Sequence, residues 1–207
     1  MLDRTVLKLL SPWLDRAAAG LVRRGVGADS VTLIGFGLGA VAALAIASGA
    51  TLTGLGFVAL SRLADGLDGP VARQTRPTDR GAFLDIALDF VFYASVPLAF
   101  AWADPARNAL PAAVLLAAFI GTGSSFLAFA ALAERRGLRN LALPDKGLYY
   151  LGGLTEGTET LLCFAAMCLW PGQFPILAGV FAALCVLTWV ARLRAGWTLL
   201  RDPDRPA

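Results

Sequence analysis

Apolar residues run almost unbroken over 31–49, 52–72, 82–103, 109–133, 148–170 and 174–191, and Gly, Pro or charged residues separate the runs. A helix needs about 20 apolar residues to cross a bilayer core, so the pattern predicts six membrane-spanning helices with short connections. Residues 1–28 differ, because Arg4, Lys8, Arg16, Arg23 and Arg24 interleave with Leu2, Val6, Leu9, Leu10, Trp13, Leu14 and Leu21. That alternation predicts an amphipathic helix lying in the membrane interface. It lacks the uninterrupted apolar stretch and small-residue site of a cleavable signal peptide. The expected fold class is all-α and integral to the membrane: six transmembrane helices with an N-terminal interfacial amphipathic helix. The expected divisions are 1–28 for the interfacial helix, 29–200 for the six-helix membrane domain and 201–207 for a cytoplasmic tail.

Charge placement orients this bundle. Apart from Arg62 and Arg107, all of the 18 Lys and Arg residues lie before the first span, after the second and fourth, or at the C-terminal end. The positive-inside rule puts those ends, and so both termini, in the cytoplasm. Composition agrees: 57% hydrophobic and 16% charged, with mean hydropathy +0.66, against about 45–50% and about 25% for soluble domains. A net charge of +3 gives no case for nucleic acid. The three cysteines, Cys163, Cys168 and Cys185, sit in apolar runs without metal-ligand spacing and read as small buried hydrophobes. With no histidine in the chain, a general base or metal ligand has to be chiefly carboxylate.

Four carboxylates stand where apolar residues belong. Asp65 and Asp68 fall near one end of the second span, and Asp85 and Asp89 near the start of the third. A charge at a helix centre costs about 2.5–3.5 kcal/mol on insertion scales, so four require compensation. Spacings of three and four put each pair on one helix face, and a short turn between antiparallel helices lets the two faces meet. Four converging carboxylates without His or Cys form a hard oxygen cage suited to Mg²⁺ or Mn²⁺. Two other readings stand beside it: ion pairing with Arg62, Arg73 and Arg80 and no metal, or an ion or proton pathway of a small ion-coupled transporter. Gly66, Gly69 and Gly81 count against the pathway, since they clear side chains from the carboxylate faces as a phosphate ligand requires.

The pattern Asp65-x-x-Asp68-Gly69-x-x-Ala72-Arg73, followed by Gly81-x-x-x-Asp85-x-x-x-Asp89, resembles the signature of the CDP-alcohol phosphatidyltransferase family. The spacer Gln74–Arg80 is one residue shorter than is usual there. FIGTGSSF (119–126) and YYLGGLTEGTET (149–160) are similar to a bacterial inner-membrane branch of that family. The resemblance implies transfer of a phosphatidyl group from CDP-diacylglycerol to an alcohol with release of CMP, or transfer of a phosphoalcohol from a CDP-alcohol to a lipid alcohol. It implies that Asp65, Asp68, Asp85 and Asp89 hold two divalent ions, Mg²⁺ or Mn²⁺, with Asp89 also taking the acceptor proton. Gly69, Arg73 and Thr78 are implied nucleotide contacts. So is Thr32, in a segment where Asp29 replaces the family's Asn. A homodimer in the bacterial inner membrane is implied as well.

The remaining polar residues admit two readings each. Glu156 and Glu159, with Thr155, Thr158 and Thr160, either line an acceptor pocket or make helix hydrogen bonds. Arg139 and Lys146, in the 134–147 connection, either hold an acceptor phosphate or only set topology, the favoured alternative. Gly35-x-x-x-Gly39 and the patch Gly121–Ser125 read as close helix packing, the patch with a dimer seam as one location. Pro97 and Pro111 mark kinks or helix ends.

Overall fold

The computed structural model describes residues 2–136 and 155–200, and every regular element among them is helical. In chain order these are α1 (Leu2–Arg23), α2 (Ala28–Ala47), α3 (Thr51–Gln74), α4 (Asp79–Ala103), α5 (Pro105–Arg135), α6 (Gly157–Leu169) and α7 (Phe174–Leu199). A 3-10 turn at Pro171–Gln173 precedes α7. Arg139 and Lys146 lie outside the described residues.

Local chemistry sets the boundaries. Gly25 and Gly49 take φ of +75° and +86° in the turns after α1 and α2, a conformation strained for residues with a Cβ. The Thr78 hydroxyl accepts from the Gly81 N–H at 3.0 Å and caps α4. Asp104 Oδ1 likewise accepts from the Arg107 N–H at 3.2 Å, with Pro105 opening α5 behind it. Pro97 and Pro111 both fall inside helices, in α4 and α5.

This is an all-α membrane protein. α2, α4, α5 and the segment Pro171–Leu199 are long and apolar enough to cross a bilayer. The other two expected spans differ for separate reasons. α3 has 24 residues but carries Arg62, Asp65, Asp68 and Arg73, and the described α6 has 13. Large apolar side chains face outward along the bundle, among them Leu44, Leu98, Ile120, Ile176 and Leu187. Helices apolar on nearly every side require a lipid environment.

Close approach between helices is built on glycine. α2 packs against both α3 and α4. A Cβ on Gly35 would stand 3.3–3.4 Å from Ala64 Cβ and the Ser61 and Asp65 backbone, and one on Gly39 would stand 2.6 Å from Phe92. The Ser61 hydroxyl donates to the Gly35 carbonyl at 2.7 Å across the seam. The Gly121–Ser125 patch is also internal packing, with Gly121 against Trp189 of α7 and Gly123 against Phe90 of α4. Behind these contacts lies one aromatic core in which Phe92, Tyr93, Phe119, Phe164 and Phe181 meet mostly edge to face. Cys168 and Cys185 are buried and Cys163 half-buried, all free thiols. A smaller cluster of Ala18, Val31 and Val71 docks α1.

Gly39→Ala is expected to lower the melting midpoint of the detergent-solubilised protein, with overpacking costing about 1–3 kcal/mol. Gly56→Ala, where a Cβ meets nothing within 4 Å, should leave it unchanged or raise it.

Candidate active site

α3 and α4 are joined by a turn at residues 75–78, and their adjacent ends carry the four aspartates. One carboxylate oxygen each from Asp65, Asp68 and Asp85 lies within 4.8 Å of the other two. Divalent ions sit about 2.0–2.6 Å from their oxygens, so three oxygens at this spacing suit a single ion. The all-oxygen set fits a hard cation such as Mg²⁺ or Mn²⁺. Asp68 is the most enclosed of the three, 8% exposed. The Thr32 hydroxyl of α2 donates to its Oδ2 at 2.7 Å, which fixes the carboxylate from a third helix.

Asp89 does not join that cluster. Its Oδ1 accepts from Arg62 Nη1 at 2.5 Å, and the same nitrogen lies 3.4 Å from Asp65 Oδ2. Of the ion pairs expected from sequence, only this one falls among the four aspartates. Arg73 reaches Asp15 of α1 at 3.7 Å and Arg80 reaches Asp29 at 2.5 Å.

Beside the carboxylates opens a cleft of about 190 Å³, lined by Thr32, Asp68, Gly69, Thr78, Gly81 and Asp85 among others. It brings together three of the four residues expected at a nucleotide. The fourth, Arg73, is not among the lining residues; its Nη1 lies 3.4 Å from where a Gly69 Cβ would be. Arg76 lines the cleft in its place, a position the family pattern did not single out. Gly69 and Gly81 face this space as expected, but Gly66 turns the other way, toward Leu14 of α1. Asp29 also lines the cleft, and its ion pair with Arg80 ties the start of α2 to the start of α4. Asp29 stands where the family pattern has Asn, and Arg62 has no spacing that marks it. Their signal in the sequence is only a charge beside the motif or inside a span.

Glu156 and Glu159 form a reciprocal capping box at the start of α6. The Glu156 side chain accepts from the backbone three residues on, and Glu159 Oε2 accepts from the Glu156 N–H at 3.2 Å. Thr155 donates to Thr188 of α7 at 3.2 Å. These contacts give both carboxylates helix-capping work.

A bundle of long apolar helices thus presents a carboxylate cluster beside a cleft lined by Gly69 and Gly81. The chain belongs to the CDP-alcohol phosphatidyltransferase family, whose model matches residues 26–196. Escherichia coli inner membrane protein YnjF is 48% identical over 205 residues, 99% of this chain and all of that one. Among solved structures, Mycobacterium tuberculosis phosphatidylinositol phosphate synthase with CDP-DAG bound superposes at a TM-score of 0.67. It is 25% identical over 94% of this chain and 98% of that chain. The same synthase in complex with manganese and citrate gives a TM-score of 0.67 at 26% identity, over 94% and 93% of the two chains. Family membership makes the protein a transferase rather than a carrier.

Thr32→Val removes the hydroxyl that holds Asp68 and keeps the side-chain shape. It is expected to destabilise the metal-free protein by about 1–3 kcal/mol, seen as a lower melting midpoint, whereas Thr32→Ser should stay near wild type.

Proposed function

We propose that the protein transfers a phosphatidyl group from CDP-diacylglycerol to an alcohol acceptor and releases CMP. The observation that carries this reading is the meeting of Asp65, Asp68 and Asp85 within 4.8 Å beside the cleft that holds Thr32, Gly69 and Thr78. Crystals of a relative sharing the fold contained CDP-DAG in one case and manganese in another, which supports both the donor and the cofactor class.

In this reading Asp65, Asp68, Asp85 and Asp89 hold two divalent ions, Mg²⁺ or Mn²⁺. Held there, the ions would supply charge neutralisation to the diphosphate. Gly69 leaves room for phosphate against the α3 backbone, Gly81 lets Asp29 and Thr78 close on the start of α4, Thr32 fixes Asp68, and Thr78, Arg73 and Arg76 face the nucleotide. The acceptor oxygen forms a bond to the phosphorus that bears the diacylglycerol. The bond from that phosphorus to the bridging diphosphate oxygen breaks, and its electron pair leaves with CMP. Asp89 takes the acceptor proton; a carboxylate close to cations is a weak base, so positioning carries part of the activation. Arg139 and Lys146 are the residues proposed to meet an acceptor phosphate, with Glu156 and Glu159 at the acceptor side of α6.

The finer topology belongs to the same proposal. α3 and the stretch containing α6 complete six spans, and residues 1–28 lie in the interface ahead of the 29–200 domain and its 201–207 tail. Both termini face the cytoplasm of a bacterial inner membrane, as expected for a relative of an inner membrane protein, and the enzyme works as a homodimer. At that depth the cleft meets soluble alcohol and nucleotide from water while the donor's acyl chains stay in lipid.

The test is CMP release by purified protein with CDP-diacylglycerol and Mg²⁺ or Mn²⁺, across a panel of alcohols that includes glycerol and inositol phosphates and serine. Release is expected with one acceptor and should fall by at least about a hundredfold in Asp89→Asn, with folding intact. Turnover unchanged in that variant overturns the assignment. Activity only with a CDP-alcohol and diacylglycerol reverses the donor.

A further inference from the structure

Arg62 lies one helical turn before Asp65 on α3 and is 11% exposed. A single atom, Nη1, faces two carboxylates, Asp89 Oδ1 at 2.5 Å and Asp65 Oδ2 at 3.4 Å. Nη2 donates to Ser61 Oγ at 3.3 Å. The guanidinium carbon sits 3.9 Å from the centroid of the Phe92 ring, close enough for a cation–π contact. Asp65 thus belongs to two groupings, with Asp68 and Asp85 on one side and with Asp89, through Arg62, on the other.

A divalent ion shared by Asp65 and Asp89 has to lie about 2.0–2.6 Å from their oxygens. Nη1 stands between those oxygens, so an ion and the guanidinium exclude one another there. We propose that Arg62 is a positioning residue that holds Asp89 against Asp65 with its own charge, in the place a second divalent ion takes by displacing it. This rests on the reading that the aspartates hold divalent ions. The first ion enters at Asp65, Asp68 and Asp85 without disturbing the Arg62–Asp89 pair. The second has to break a charge-assisted hydrogen bond and lift the guanidinium from Phe92. Arg62 also keeps the half-buried Asp89, 32% exposed, compensated when no second ion is present. Loading is therefore stepwise, and the two steps differ in affinity because of one side chain.

The experiment is a Mn²⁺ titration of the purified full chain in detergent without nucleotide, with free Mn²⁺ followed by electron paramagnetic resonance. Wild type is expected to fill one strong site and a second at least about tenfold weaker. Arg62→Met, similar in length and uncharged, should tighten the second step by about tenfold or more, within the usual range of coupling between sites. Arg62→Lys should keep the steps apart. A second step unchanged or weakened in Arg62→Met overturns the proposal. If that variant does not fold, Phe92→Leu carries the test, since it removes the ring beneath the guanidinium and leaves every charge in place. A severalfold tighter second step is then expected, and an unchanged gap overturns the idea. Two steps insensitive to both residues defeat this inference alone, whereas wild type that binds no Mn²⁺ defeats the metal reading along with it.

Discussion

A carboxylate carried into apolar surroundings has to find a cation or a hydrogen-bond donor within reach, and the aspartates of α3 and α4 come together under that constraint. Four aspartates at the adjoining ends of two helices would repel one another and resist leaving water. The chain supplies two partners. Thr32 reaches Asp68 from α2 and Arg62 reaches Asp89 and Asp65 along α3, while the oxygens of Asp65, Asp68 and Asp85 converge on a spacing that suits a hard cation. The site is thus held by polar contacts between helices as well as by apolar packing.

Those contacts depend on how closely the helices approach. Gly35 and Gly39 let α2 lie against α3 and Phe92, and that proximity brings Thr32 within 2.7 Å of Asp68. At the same end α1 is fastened to α3, where Gln74 Nε2 donates to the Asp15 carbonyl at 3.0 Å, and Asp29 is fastened to Arg80. The opposite end is tied separately, with Arg107 Nη2 donating to the Gly172 carbonyl at 2.6 Å. Close packing of α1 and α2 around the cleft suits a reaction whose acceleration depends on holding two reactants in register. Arg192 shows the same economy in α7, where its Nη1 donates to the Thr122 carbonyl at 2.8 Å beside Ser125. The small residues of α5 thereby serve packing and polar bonding within one chain.

Periodicity along the chain carried the helical character of the elements, because a helix face is a property of local spacing, while four of the six expected spans stand as long apolar helices among the described residues. The apolar runs gave the long helices, the basic–apolar alternation gave α1, and spacings of three and four put the aspartates in pairs on single faces. The family pattern placed Thr32, Gly69 and Thr78 at one cleft with Asp68 and Asp85, and the structure has them there. α3 illustrates where hydropathy alone falls short, since the charges that serve the site also dilute its apolar character.

Contacts between helices were decided only by tertiary structure. Equal spacing cannot say which way a helix is rotated or how deep it sits against its neighbour, and packing fixes both. So Gly66 turned to Leu14 while Gly69 turned to the cleft, Arg76 took the lining position expected of Arg73, and Gly121 met Trp189. Glu156 and Glu159 became a helix cap because α6 begins at that point. Asp89 went to Arg62, whose guanidinium, stacked on Phe92, stands between it and Asp65. The sequence by itself determined which residues are charged and which share a helix face; tertiary packing decided which charge meets which, because attraction over a few ångströms depends on distances that no spacing along one chain contains.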